Sequence, residues 1–212
     1  MYFIYFFSTF VWFGLTYLMH KLNNFNTKIA RNFISAMHAT SVVIFYLFDF
    51  QPRFLFYITS GYYLADGIVE SYYLIKTNRL YNLSILIHHV ISCMATYKLT
   101  DQIDLFGSKY FLGAFFTIEL SNYPVYLVYH LKTIGYNNNT VIKLLTVLEI
   151  ISYIILRVYM CGIKLYESYV FGLFPLHLIL SCGFIYVISI IWLYGMFLQL
   201  FGKSDVRKKI EK

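Results

Sequence analysis

The chain is poor in charge. Asp, Glu, Lys and Arg make up 13% of its 212 residues, about half the share usual for a soluble domain. That argues against a water-soluble domain with polar residues on every outer face. Proline is scarce, at 3, and glycine modest, at 11; together they exclude a collagen-like or Pro/Gly-rich disordered chain. There are 3 cysteines, Cys93, Cys161 and Cys182, all in or beside apolar runs and at no metal spacing. They read as small core residues and give no sign of an oxidising compartment. Receptor-like disulfides, a Gly-rich filter and a repeated acidic ring are also missing, which counts against a receptor or a channel.

What the chain does have is apolar surface. Hydrophobic residues make up 59%, with 21 Phe and 22 Tyr. Seven apolar segments can be drawn, at 2–19, 33–49, 54–75, 83–99, 109–131, 141–160 and 174–200. Each is close to the roughly 17–25 residues that span a bilayer. The first has no basic leader and no small-residue cleavage site, so it reads as a helix rather than a signal peptide. The expected fold class is therefore an all-α polytopic membrane protein of about seven transmembrane helices.

The net charge of +7 does not point to nucleic acid, because the basic residues lie in short loops and the C-terminal tail, where they set topology. The loops 20–32, 76–82 and 132–143 and the tail are richer in Lys and Arg than the loops between them. The positive-inside rule then puts the N-terminus outside or in a lumen and the tail in the cytosol. The acceptor patterns Asn82-Leu-Ser and Asn138-Asn-Thr fall on the cytosolic side, where they are expected to stay unglycosylated.

This topology gives each polar residue a depth, at about 1.5 Å per helical residue. His88 and His89, in "LSILIHHVISCMATYK", lie about 8–9 Å inside the cytosolic start of their helix. His38, Asp66, Glu70, Glu119, Asn122 and Glu149 fall in the same half of the membrane or near its middle. Asp66 and Glu70 share a helix face, as do Glu119 and Asn122, while Ser84 and Ser92 flank His88 at four residues on either side. Ionisable groups inside a membrane are rare and tend to face a cavity or one another. These residues are expected to line a polar pocket open to the cytosol. Adjacent histidines point about 100° apart, so only one is expected to face straight into it, the other pointing along its wall or toward a neighbouring helix. Arg157 and His177 are placed toward the outer side, with Arg157 snorkelling or pairing there. No metal site is suggested, since adjacent histidines bind one ion poorly.

"GYYLADGIVESYYL" followed by "ILIHHVISCMATY" resembles the core of the TLC domain family, which includes the ceramide synthases and a set of small lipid-related proteins. "SAMHATSVVIFYLF" resembles the family's His-containing second helix, and "FFTIELSNYPVYLVYHLKTIG" the Glu-Leu-Ser segment of the small members. The resemblance implies a six-helix barrel around a lipid-sized tunnel, with one helix outside it. It divides the chain into an N-terminal helix and basic loop (1–30), a TLC domain (31–200) and a basic cytosolic tail (201–212). Ceramide synthases follow their His-His with a His-Asp pair; here the matching stretch has Glu119 and no His-Asp, so the likeness is closer to the small members.

Two functions follow from this resemblance. One is a protein that binds, senses or handles membrane lipid and so influences lipid composition. It would hold an acyl chain in the tunnel and a headgroup at His38, Glu70, Asn122 and Glu149, and would need no cofactor. The other is an acyltransferase taking acyl-CoA as co-substrate, with His88, His89, Asp66 and Glu119 as catalytic candidates. A His would serve there as base or nucleophile, oriented by a carboxylate. The expected location is the endoplasmic reticulum or another endomembrane. The partner is membrane lipid and not nucleic acid.

Overall fold

In a computed structural model the described residues, 2–22, 27–77, 80–102, 105–136 and 138–201, form helices joined by short turns, with no strand among them. The helices are α1 (Tyr2–Leu22), α2 (Thr27–Leu47), α3 (Pro52–Thr77), α4 (Leu80–Gln102), α5 (Leu105–Thr133), α6 (Asn139–Ser152), α7 (Cys161–Val170) and α8 (Leu176–Leu200). A π-helical segment, Tyr153–Met160, joins α6 to α7 without a break, so there are seven rods. The all-α class is as expected. Arg79 and the basic tail beyond residue 201 lie outside the described residues.

The termini follow local chemistry. Pro52 opens α3, where its missing N–H is no loss. The Asn138 side chain caps α6 by accepting from the Val141 N–H at 3.2 Å. Gly135 and Gly172, with φ of 77° and 60°, close α5 and α7 in the left-handed conformation that glycine tolerates best. Two segment boundaries differ from the sequence reading by more than four residues. Helix α2 begins at Thr27 rather than 33, and the stretch drawn as loop 161–173 is helical to Val170. In both places charged residues masked helix that continues inward: Arg31 in the first, Lys164 and Glu167 in the second.

Six rods form a closed ring. Helix α2 packs on α5, α5 on the α6–π–α7 rod, that rod on α8, α8 on α4, α4 on α3, and α3 returns to α2. Helix α1 stands outside, against α3 and α2. Small residues set the closest seams. Between α3 and α4, Ser60 and Thr96 hydroxyls meet at 2.7 Å, and a side chain on Gly67 would come within 3.7 Å of His89 Cβ. Between α1 and α3, Trp12 Nε1 and Ser8 Oγ both donate to the Ile58 carbonyl, at 3.0 and 3.2 Å.

Two helical stretches, Phe3–Leu22 and Leu176–Leu198, are long and apolar enough to cross a membrane. The other rods carry ionisable residues that lower their mean hydropathy, and most of those residues face into the ring.

Gly61 tests the seam of α1. A Cβ there would lie 2.7 Å from Ser8 Cβ and 2.9 Å from Thr9 N. Gly61→Ala is expected to lower stability by about 1–3 kcal/mol, read as a lower melting temperature of the purified protein in mild detergent. Gly14→Ala, with nothing within 4 Å, is expected to leave the melting temperature unchanged or raise it.

Candidate functional site

A cavity of about 530 Å³ lies inside the ring. Of the residues singled out in the sequence, His38, Asp66, His88, His89, Glu119, Asn122 and Glu149 line it. Glu70 does not, and is fully buried behind it. Ser84 lines the cavity as well. Arg31, Arg157, Tyr62, Tyr63, Tyr153 and Trp192 join them, all absent from the sequence-based set.

The first polar network joins α2, α3 and α4. Arg31 extends from the first turns of α2 and donates to Asp66 through Nε and Nη2, each at 3.3 Å. Its Nη2 also contacts Glu70 Oε1 as an ion pair. Two carboxylates one helical turn apart thus share one planar guanidinium, which suits its fork of donors. His89 Nδ1 lies 3.1 Å from Asp66 Oδ2, near enough for a charge-assisted contact but not aligned as a hydrogen bond.

The second network crosses the ring. His38 Nε2 meets Thr59 Oγ1 at 3.3 Å, and its ring stacks on Tyr62 with centroids 4.0 Å apart. His38 Nδ1 is 3.9 Å from Glu119 Oε1. Glu119 Oε2 accepts from Asn122 Nδ2 at 3.0 Å, and Asn122 Oδ1 accepts from Arg157 Nη1 at 2.6 Å. Arg157 Nε donates to Ser189 Oγ at 3.0 Å. Five rods contribute to this chain of contacts.

The histidine pair lies between the networks. His89 turns toward Asp66 on α3, while His88 turns toward α8, where its ring meets Trp192 edge-on at 5.2 Å. Both line the cavity, each with its ring turned toward a neighbouring helix. The ring is narrow enough for side chains about 100° apart on α4 to reach it from two directions. His88 Nδ1 is buried and has no hydrogen-bond partner among the described residues.

Arg157 is the main correction. Its expected place was near an outer helix end, but the rod runs on to Val170, which puts Arg157 near its middle. There it is 4% exposed, and it lines the cavity rather than snorkelling. It sits in the π-helical segment, whose wider turn brings both Tyr153 and Arg157 inward; π segments recur at functional sites. Arg31 was missed because its helix was started too late. Tyr62 was findable, since it lies four residues before Asp66 on the same face as Asp66 and Glu70.

Among the described residues no three His, Cys, Asp or Glu side chains gather as a metal site. The three cysteines are free thiols. Comparison with protein-family models, curated proteins and solved structures finds no match for this chain.

The first network predicts a specific stability pattern. Arg31→Met leaves Asp66 and Glu70 buried without their cation, and is expected to cost about 3–5 kcal/mol. The triple variant Arg31→Met/Asp66→Asn/Glu70→Gln removes all three charges and is expected to recover most of that loss. Thermal unfolding of both variants beside wild type in detergent checks the pattern.

Proposed function

We propose that the protein is a multi-pass membrane protein of the TLC-domain kind that takes in the acyl chain of a lipid, holds its headgroup in the polar chamber and thereby influences membrane lipid composition. The observation that carries this reading is where charge lies. Among the described residues the exposed charged side chains are Lys21, Asp49, Arg53, Lys76, Lys98, Lys132 and Lys143. Each is at a rod end, in a turn between rods or about one turn from an end. Between those ends the outward positions are apolar, as at Ile68, Met94, Leu148, Tyr159 and Val187, while Asp66, Glu70, Glu119, Glu149 and Arg157 are buried inside. A soluble helical protein has the opposite arrangement. Apolar outside and polar inside is the arrangement for a bilayer, in which intramembrane ionisable groups mark a ligand path.

In this reading all seven rods cross the bilayer, the chamber opens toward the cytosol, and the membrane is the endoplasmic reticulum or another endomembrane. The motifs quoted above add the family likeness, and the ring of six rods with a seventh outside is the arrangement that likeness implies.

A second reading is acyl transfer from acyl-CoA. The approach of His89 Nδ1 to Asp66, at 3.1 Å, favours it, because a base held by a carboxylate is the usual way an imidazole is oriented for proton transfer. His88, with Nδ1 unpaired, would then face the substrate.

One experiment tests the binding reading. A lipid with a photoactivatable acyl chain, cross-linked in membranes and mapped by mass spectrometry, is expected to label apolar residues inside the ring such as Ile118 and Ile185. Labelling confined to outward positions such as Val187 would refute an internal chain. Cellular lipidomes separate the two readings: a product made by wild type and lost in His88→Ala/His89→Ala at matched expression would establish the enzyme. A glycan on Asn138 would overturn the orientation.

A further inference from the structure

Arg157 brings a positive charge into the middle of the ring with no carboxylate in direct contact among the described residues. Its hydrogen bonds go to two neutral oxygens, Ser189 Oγ and Asn122 Oδ1. The rings of Tyr153 and Trp192 lie 5.1 and 5.8 Å from the guanidinium carbon. Among the described residues no carboxylate comes within the 4.0 Å of an ion pair. The Asn122 amide stands between Arg157 and Glu119, donating to one and accepting from the other. Arg31 differs, since two carboxylates hold it. A guanidinium does not shed its proton in proteins, so a buried one is expensive unless an anion reaches it.

Its position indicates the ligand. Beyond the main cavity lies a smaller chamber of about 80 Å³, lined largely by apolar groups such as Ala95, Ala114, Phe115 and Ile118. Tyr63, His88 and Arg157 line both chambers. Polar and apolar spaces therefore meet at a guanidinium that no carboxylate touches directly among the described residues. His88 Nδ1, buried and without a hydrogen-bond partner among the described residues, belongs to a residue of the same cavity.

Resting on the lipid-binding reading, we infer that Arg157 binds the oxyanion of an amphiphile, a carboxylate or a phosphate, whose apolar chain enters the smaller chamber. A planar fork binds two oxygens of such a head at once. A neutral head of the same size, an alcohol or an ester, leaves the charge uncompensated.

Equilibrium competition tests this on the full chain in nanodiscs of uncharged lipid, with radiolabelled palmitate as probe. Unlabelled palmitate and hexadecyl phosphate are expected to displace it about ten- to hundredfold better than hexadecanol or methyl palmitate, the range set by charge-assisted hydrogen bonds. Inorganic phosphate is expected to displace nothing, since it has no chain; displacement by it would place a free anion at the site and overturn the amphiphile. Arg157→Met is expected to abolish the preference, and Arg157→Lys to keep part of it. A preference that survives in Arg157→Met overturns the assignment. Equal displacement by all four amphiphiles in wild type also overturns it, while leaving the lipid-binding reading intact. Failure of palmitate to bind alongside failure of the neutral amphiphiles removes both. The wild-type competition decides even if the variants do not fold.

Discussion

The interior depends on a guanidinium shared by two carboxylates. Asp66 and Glu70 are buried on one helix, Arg31 reaches them half-buried from another, and neither carboxylate is tolerable there without a cation. Their meeting fixes the rotation of α3 about its own axis, because Asp66 and Glu70 must both turn toward α2. That rotation carries Tyr62 inward and leaves Ile68 and Tyr72 on the outer face. It also places Asp66 where His89 can approach, since Gly67 lets α4 come close. One ion cluster thus orients three rods and half the wall of the chamber.

The other half is built on weaker, directional contacts. From Thr59 through His38, Glu119, Asn122 and Arg157 to Ser189, each group meets the next by a hydrogen bond or a longer charge contact. The first network holds its cation directly against carboxylates and suits a structural part; the second sets the Asn122 amide between Arg157 and Glu119. The histidine pair stands where they meet, one ring turned toward each. A chamber with carboxylates directly on its cation along one wall and a cation held by neutral oxygens along the other is asymmetric.

Much of the chamber was legible from the sequence because helical spacing is rigid. Asp66 with Glu70, and Glu119 with Asn122, lie on shared faces whatever else the chain does, and depth along a helix follows from counting. What escaped were features that counting does not reach. Arg31 and Arg157 were assigned by their distance from segment ends, and both ends were set by charged residues that belong to helix. The turn from α into π geometry at Tyr153 has no signature in "YIILRVYM", where every residue is compatible with an ordinary helix. Trp192 lies in the most apolar segment and carries no mark of its role. It is identified only by the closure of α8 against α4, which brings it to His88.

The order of the ring has a consequence for how the chamber comes into being during synthesis. Arg31, Asp66, Glu70 and His89 all lie on α2 to α4, which are neighbours in both sequence and space. Their charges can neutralise one another as soon as these helices have been made. The second network has no such early refuge: His38 and Thr59 wait for Glu119 on α5, and Arg157 waits for Ser189 on α8. Until α8 docks on α4 the ring is an open crescent, and Arg157 lacks the Ser189 hydroxyl that holds it. The protein therefore first encloses a polar space only when α8 arrives, and on the proposed lipid-binding reading an amphiphile already lying against the crescent at that moment is positioned to be enclosed with it.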